Sequence, residues 1–100
     1  MISELEMEAA IQEKGLTAPR LTPADIDAVI LAEHYWVVPG TTCTICALIL
    51  KNGFVVDGAS AAASPQNFDE EVGRIIARNN ARERIWALEG YLLREQLSKE

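Results

Sequence analysis

The spacing of apolar residues is helical over the last third of the chain. From residue 64 to residue 97 apolar side chains recur three and four positions apart, at Phe68, Val72, Ile75, Ile76, Ile85, Leu88, Leu92 and Leu93. Ser64 and Asn67 are N-cap candidates, and the acids that follow suit the positive end of the helix dipole. The pattern predicts one long C-terminal helix over 64–97 with this stripe buried.

Two shorter helices are predicted before it. Ser3 and Glu6 have the spacing of a capping box, and Gly15 is placed to end a helix that starts there. This helix has few apolar residues, so we expect it to dock, to fray, or to bridge to a neighbouring subunit. Thr22-Pro23 opens the second helix, whose apolar stripe continues towards His34.

The middle of the chain has the composition of β-strands. Residues 34–38, 41–50 and 54–58 are rich in aromatic and β-branched side chains, and Asn52-Gly53 predicts a two-residue type I′ turn between the last two strands. That turn would pair Leu50 with Val55 and Ile49 with Val56. The predicted fold is therefore α+β: a small antiparallel β-meander packed with the long C-terminal helix and two N-terminal helices.

Length and composition limit the possible classes of protein. One hundred residues, 49% of them hydrophobic, predict a single domain over 1–100, in which 1–15 is mobile or bridges subunits. Two largely apolar sheet faces on so short a chain predict a homo-oligomer, at least a dimer. The sequence shows neither a transmembrane stretch nor a signal peptide, which predicts a cytosolic protein.

Cysteine, histidine and charge narrow the chemistry. Cys43 and Cys46 lie three apart in a strand, on opposite faces, and are interpreted as reduced core thiols. With His34 as the one histidine we expect no metal site and no cofactor. A net charge of -6 argues against general binding to nucleic acid and leaves a small anionic ligand open.

Positive charge is concentrated on the long helix. Residues 72–84 contain four Arg and one Glu, and Arg74, Arg78 and Arg82 follow one another at spacing four. Such a ridge suits phosphate groups, because guanidinium offers paired planar donors. The alternative is structural: Glu70 pairs with Arg74 within the helix, and the other arginines are solvated or bond a partner subunit.

The order of motifs resembles a known family. Four blocks carry the resemblance, which covers residues 21 to 94: L-T-P-A-D-I-D-A-V-I, H-Y-W-V-V-P-G-T-T-C-T-I-C-A-L-I-L-K-N-G-F-V-V-D-G, S-P-Q-N-F-D-E-E-V-G-R-I-I-A-R-N-N-A and I-W-A-L-E-G-Y-L-L. They are similar to the small tailed-phage proteins called Gp forty-nine / gene sixty-six. The chain is also similar to the type-one Thoeris anti-defence proteins, phage sponges that capture glyco-cyclic ADP-ribose and, in some cases, other cyclic oligonucleotides.

The second resemblance implies a non-catalytic, oligomeric binder with ligand pockets on its long C-terminal helices. The ligand-binding candidates it implies here are Phe68, Arg74, Arg78, Asn79 and Arg94. An aromatic ring stacks on a purine, Asn reads a polar edge and Arg holds phosphates. The structural alternatives stay open: Phe68 as a core residue, Asn79 bonding a strand carbonyl, and Trp86 and Tyr91 in a core or interface.

Three functions follow from these observations. The first is a nucleotide-signal sponge, which needs no catalytic residues, and the sequence offers no nucleophile, base and orienting acid together. The second is a phage protein that binds and modulates a host protein through an apolar face. The third, ranked last, is a hydrolase built on His34 and Asp57.

Overall fold

A computed structural model describes residues 2–100 as one three-stranded sheet with helices on one side. The elements in chain order are α1 (Glu4–Glu13), α2 (Pro23–Ala28), β1 (Ile30–Val37), β2 (Cys43–Leu50), β3 (Val55–Ala61), a single 3₁₀ turn (Pro65–Asn67) and α3 (Glu70–Ser98). The strands form an antiparallel meander in the order β1-β2-β3. The predicted α+β class is confirmed.

The two N-terminal helices begin where the capping residues predict. The Ser3 hydroxyl accepts a hydrogen bond from the Glu6 N–H at 3.1 Å, and Gly15 follows α1 with a φ of +65°. Thr22 and Asp25 cap α2 reciprocally. The extension of α2 towards His34 is wrong: α2 ends at Ala28, because residues from Ile30 onward pair with β2 instead.

The hairpin between β2 and β3 differs from the prediction by one residue. Leu50 pairs with Phe54 around a three-residue loop, in which Gly53 alone has a positive φ, +89°. This is the pattern of a type I turn followed by a left-handed glycine, not of a type I′ turn. Ile49 therefore lies opposite Val55 and Leu48 opposite Val56, so the predicted register is wrong. The shift moves Val56 onto the face that packs against α3.

The face of α3 that packs against the sheet consists mainly of small residues, not of the large apolar residues in the predicted stripe. The buried residues of α3 are Gly73, Ala77, Ala81 and Ile85, at spacing four. Of the predicted stripe only Ile85 is buried. Phe68 and Leu93 are half-buried, and Val72, Ile75 and Ile76 are exposed. The helix also begins later than predicted, with Asp69 as its N-cap, because residues 59–61 extend β3 and the 3₁₀ turn follows.

The reason for the small stripe is the closeness of α3 to β3. A Cβ at Gly58 would lie 2.5 Å from the Ala77 carbonyl oxygen and would overlap the Ala81 nitrogen. A Cβ at Gly73 would lie 2.7 Å from Thr44 Oγ1. Glycine on the strand and small residues on the helix let the two backbones touch, which larger side chains would prevent. The core continues from this contact into Ile26, Cys46, Leu48, Leu50 and Val56.

The helix is longer than the sheet that it covers. Ile85 is the last buried residue of α3, so the helix continues for about 20 Å beyond it. The radius of gyration is 16.4 Å, against about 13 Å for a compact domain of this length. Within residues 2–100 no helix combines the length and the apolar character that crossing a membrane requires.

We predict that Gly58→Ala destabilises the protein by about 1–3 kcal/mol, because the added methyl group meets helix backbone that cannot rotate away. Thermal and denaturant unfolding measure the change. Ala59→Val, an exposed substitution on the same strand, is the control and should stay within about 0.5 kcal/mol. Equal stability of Gly58→Ala and wild type would contradict the close packing.

Candidate functional site

The arginine ridge of α3 lies beside β1. Because Gly73, Ala77 and Ala81 face the sheet, Arg74, Arg78 and Arg82 lie on one flank of the helix, where acids and an aromatic ring of neighbouring elements meet them. The contacts with these acids determine which of the three arginines can bind an anionic ligand.

Arg78 is engaged by β1. Its Nε donates to Glu33 Oε2 at 2.8 Å, and the Tyr35 hydroxyl donates to Glu33 Oε1 at 3.0 Å. The bond from Arg78 lowers the pKa of Glu33, while burial and the bond to Glu33 raise the pKa of Tyr35 to about 12. An anionic ligand at Arg78 must therefore compete with the Glu33 carboxylate.

Arg82 is a structural residue. Its guanidinium donates to Glu4 at 2.6 Å, to Asp27 at 2.8 Å and to the Pro23 carbonyl at 3.3 Å. The bond to Glu4, with that to Asp27, raises the pKa of Arg82, and only 13% of its side chain is exposed. Arg82 thus joins α1 and α2 to α3. Like Arg78, it is paired across elements and not within its own helix.

Arg74 is the most available member of the ridge. Its guanidinium carbon lies 5.7 Å from the centre of the Tyr35 ring, within the range of a cation–π contact. Its ion pair with Glu70 spans 3.8 Å, and both side chains are more than half exposed. Such a pair contributes little in water, so Arg74 can exchange Glu70 for another anion at low cost. This pair is the intrahelical contact that the structural alternative described for the ridge.

Phe68 and Asn79 lie apart from the ridge. Phe68 is half-buried at a small pocket of about 200 Å³ before α3, which it lines together with Val72 and Ile76. Asn79 is exposed and makes no side-chain hydrogen bond within the described residues. The strand carbonyl considered for it is bound by its neighbour: Asn80 Nδ2 donates to the Ala59 oxygen at 2.9 Å.

Arg94 lies on the part of α3 that extends beyond the sheet. It is exposed and forms no ion pair with any residue from 2 to 100. Arg78 and Arg94 are separated by about 24 Å along the helix and by roughly 160° around it. The five predicted ligand residues therefore do not form one pocket within a single chain.

Two residues of this region were missed by sequence reasoning. Glu33 and Tyr35 alternate along β1 and so face α3 together, but the sequence prediction placed Glu33 in a helix. A strand starting at Ile30 would have put both of them beside the ridge.

A second concave feature lies at the other end of α3. A groove of about 430 Å³ separates the β2–β3 loop from the extended helix, and its walls are mostly apolar. Its lining includes Leu50, Phe54, Leu88, Tyr91 and Leu92. The last four are at least one-third exposed, so the groove is open to solvent.

The residues considered for catalysis are separated by strand β2. His34 and Asp57 both pair with Ala47, from opposite sides, which puts their backbones roughly 10 Å apart. Asp57 accepts a hydrogen bond from Arg84 at 3.1 Å. Cys43 and Cys46 are free thiols on opposite faces, and burial raises the pKa of Cys46. Among residues 2–100 no group of three or more potential ligands could hold a metal ion.

Comparison with protein families identifies the chain as a phage protein. The profile of the phage protein (N4 Gp49/phage Sf6 gene 66) family matches residues 21–97, which include α2, the whole sheet and almost all of α3. The chain belongs to this family. Comparisons with curated proteins and with solved structures gave no match. In this family member, the matched region contains all five predicted ligand residues.

We predict that Arg82→Met loosens α1, because it removes the charged hydrogen bonds to Glu4 and Asp27. Amide hydrogen exchange of residues 4–13 should become faster, with a loss of about 1–3 kcal/mol in unfolding free energy. Arg84→Met, which breaks one exposed ion pair, is the control and should leave α1 unchanged. Unchanged exchange in Arg82→Met would show that α1 is held by other contacts.

Proposed function

We propose that this phage protein captures an anionic cyclic nucleotide immune signal in the host cell cytoplasm and holds it without turnover. The observation that carries the proposal is the edge formed by Arg74 and Arg78 beside Tyr35, where two guanidinium groups and one aromatic ring are only partly covered. Guanidinium binds phosphate with paired donors, and an aromatic face accepts a base. The resemblance to the type-one Thoeris anti-defence proteins points to glyco-cyclic ADP-ribose, with cyclic oligonucleotides as further ligands.

The acids around the ridge set the conditions for binding. The whole chain has a net charge of -6, so a ligand with two phosphates is attracted electrostatically only where an arginine is close. The hydrogen bond to Glu33 fixes the position of the Arg78 guanidinium beside β1. Ligand phosphate replaces this carboxylate at Arg78. One charge-assisted hydrogen bond is exchanged for another, so only the difference between their free energies contributes to the affinity.

The site is shared between two copies of the chain. Arg94 and Arg78 lie about 24 Å apart on one rigid helix, too far to hold one small nucleotide. In a homo-oligomer the Arg94 of one copy reaches the Arg74 and Arg78 edge of another, where it supplies a cation that has no acidic partner among residues 2–100 of its own copy. This arrangement brings the three predicted arginines together and gives a reason for the chain to assemble.

We predict that a substitution of Arg78 and a substitution of Glu33 change the nucleotide affinity in opposite directions. Arg78→Ala should weaken binding of glyco-cyclic ADP-ribose at least tenfold, whereas Glu33→Gln should strengthen it, because the arginine loses its competing carboxylate. Isothermal titration measures both, with Arg84→Ala as a control that should bind like wild type. The recovered nucleotide should be chemically intact by mass spectrometry.

The phosphate-binding assignment is overturned if all three single variants, Arg74→Ala, Arg78→Ala and Arg94→Ala, bind nucleotide with wild-type affinity. Modified nucleotide in the recovered sample would instead show an enzyme.

We also predict that two inactive variants complement one another. Arg78→Ala and Arg94→Ala each damage a different half of a shared site, so a mixed dimer contains one intact site. Random mixing should restore about one quarter of the wild-type number of sites, since half of the dimers are mixed. Titration of the two variants apart and after joint refolding makes the measurement. Absence of recovery would place both arginines in separate sites.

A second candidate function is modulation of a host protein, which the apolar groove beside Leu88 and Leu92 favours. A groove of this size receives a few side chains of a helix or an extended segment. Under this alternative the nucleotide titrations show no heat and no thermal stabilisation. Under nucleotide capture, a ligand at one hundred times its Kd raises the unfolding free energy by about 2.7 kcal/mol.

A further inference from the structure

The Glu33 carboxylate lies at a point where two hydrogen-bond donors from different elements meet. The Tyr35 hydroxyl donates from β1 to Oε1 at 3.0 Å, and Arg78 Nε donates from α3 to Oε2 at 2.8 Å. Each donor is therefore directed at one oxygen of the same singly charged anion. A phosphodiester group has the same charge and also has two terminal oxygens. Tyr35 and Arg78 thus have the geometry of a two-donor site for such a group, in which the chain's own carboxylate lies.

Both donors can serve a ligand. Within residues 2–100, Arg78 uses only its Nε in a hydrogen bond, and its Nη atoms make none. A phosphate that contacts Nε together with an Nη makes a bidentate contact where Glu33 makes a single bond to Arg78. Burial, together with the bond to Glu33, raises the pKa of Tyr35 to about 12, so its hydroxyl keeps the proton that it donates. A phosphate at this point therefore makes more hydrogen bonds than Glu33 does.

Glu33 can leave the two donors at low cost. Its side chain is 42% exposed and that of Arg78 is 32% exposed, so water hydrates the carboxylate once it moves away. An ion pair that is this exposed contributes little to stability. Arg74 lies beside the same ring, with its guanidinium carbon 5.7 Å from the centre of Tyr35, and is placed to contact a second phosphate of the ligand.

The charges of this edge favour a ligand group with one negative charge over a group with two. Arg74 and Arg78 pair with Glu70 and Glu33, so these four side chains are neutral as a set. Each negative charge of a ligand therefore adds to a neutral edge on a chain with a net charge of -6. A phosphomonoester has a charge of about −1.5 to −2 at neutral pH, whereas a phosphodiester is singly charged. The edge thus penalises a monoester more than a diester.

We propose that Tyr35 and Arg78 form a phosphodiester-selective site, in which the Tyr35 hydroxyl binds ligand phosphate and the Glu33 carboxylate competes with that phosphate for both donors. The inference rests on the proposed function, since it concerns the same edge of α3, and it adds a binding residue and a specificity. An intact cyclic nucleotide, in which each phosphate has one negative charge, is bound. A linear product of ring opening that ends in a phosphomonoester is bound more weakly, so the protein keeps its capacity for the intact signal.

Two roles of the Tyr35 hydroxyl predict opposite effects of Tyr35→Phe, a variant that keeps the ring beside Arg74. If the hydroxyl only held Glu33 in place, its removal would free Arg78 and leave the nucleotide affinity equal or higher. If it binds phosphate, its removal weakens binding even where Glu33 has no carboxylate. We therefore expect Glu33→Ala with Tyr35→Phe to bind glyco-cyclic ADP-ribose at least fivefold more weakly than Glu33→Ala alone in isothermal titration. Equal affinity of these two variants overturns the role of the hydroxyl.

A second measurement uses the wild-type chain and does not depend on the folding of a variant. Dimethyl phosphate, a diester, and methyl phosphate, a monoester, are each titrated at neutral pH and constant ionic strength while NMR follows the arginine Nε–Hε signals. The Arg78 signal is identified by its loss in Arg78→Lys. We expect dimethyl phosphate to shift this signal with a Kd at least threefold lower than that of methyl phosphate. Arg84, which pairs with Asp57 away from this edge, is the internal control and should not discriminate between the two probes.

Equal or tighter binding of methyl phosphate at Arg78 overturns the specificity, and an Arg78 signal that neither probe shifts overturns the site. If dimethyl phosphate binds at Arg78 but no cyclic nucleotide binds the chain, the site stands and the proposed function fails. The two Glu33→Ala variants are then compared with dimethyl phosphate, with the same expected ratio. If cyclic nucleotide binds both of these variants equally well, the proposed function stands and this inference fails.

Discussion

The backbone contact between α3 and β3 at Gly58 determines most of this structure. With no side chain at Gly58, and with Ala77 and Ala81 above it, the helix lies directly on the strand, and its small-residue stripe becomes the buried one. A helix has only one side to bury on a three-stranded sheet, so Val72, Ile75 and Ile76 are turned outward although they are larger. Apolar size did not decide the packing; the fit of two backbones did.

The same rotation of α3 fixes its electrostatics. With the small stripe facing the sheet, one flank presents Arg74, Arg78 and Arg82 to β1 and α2. Arg82 binds acids of α1 and α2, Arg78 binds Glu33 of β1, and Arg74 lies against the Tyr35 ring. The ridge is graded along its length from structural to available, and its available end is where we propose that nucleotide binds.

Each surface that the single chain leaves open is suited to a further molecule. The flank of α3 that carries Arg74 and Arg78 is partly exposed, and so are Trp36 and Val55 on the sheet face that points away from α3. These surfaces lie on opposite layers of a thin, two-layer domain measuring 52 × 31 × 17 Å. A domain that is one sheet and one helix thick buries little of its own apolar surface, which is one reason why we propose that copies of the chain assemble.

What the sequence by itself determined is local. The order of the elements and the caps at Ser3 and Thr22 depend on residues within four positions of one another, and they were predicted correctly. The hairpin register, the buried face of α3 and the partners of its arginines needed the tertiary structure. A hairpin loop that is longer by one residue shifts every residue pair between β2 and β3. The sequence of α3 contains two apolar stripes, and only the packing against β3 determines which of them is buried. The partners of Arg78 and Arg82 lie 45 to 78 residues away, so only the folded chain brings them together.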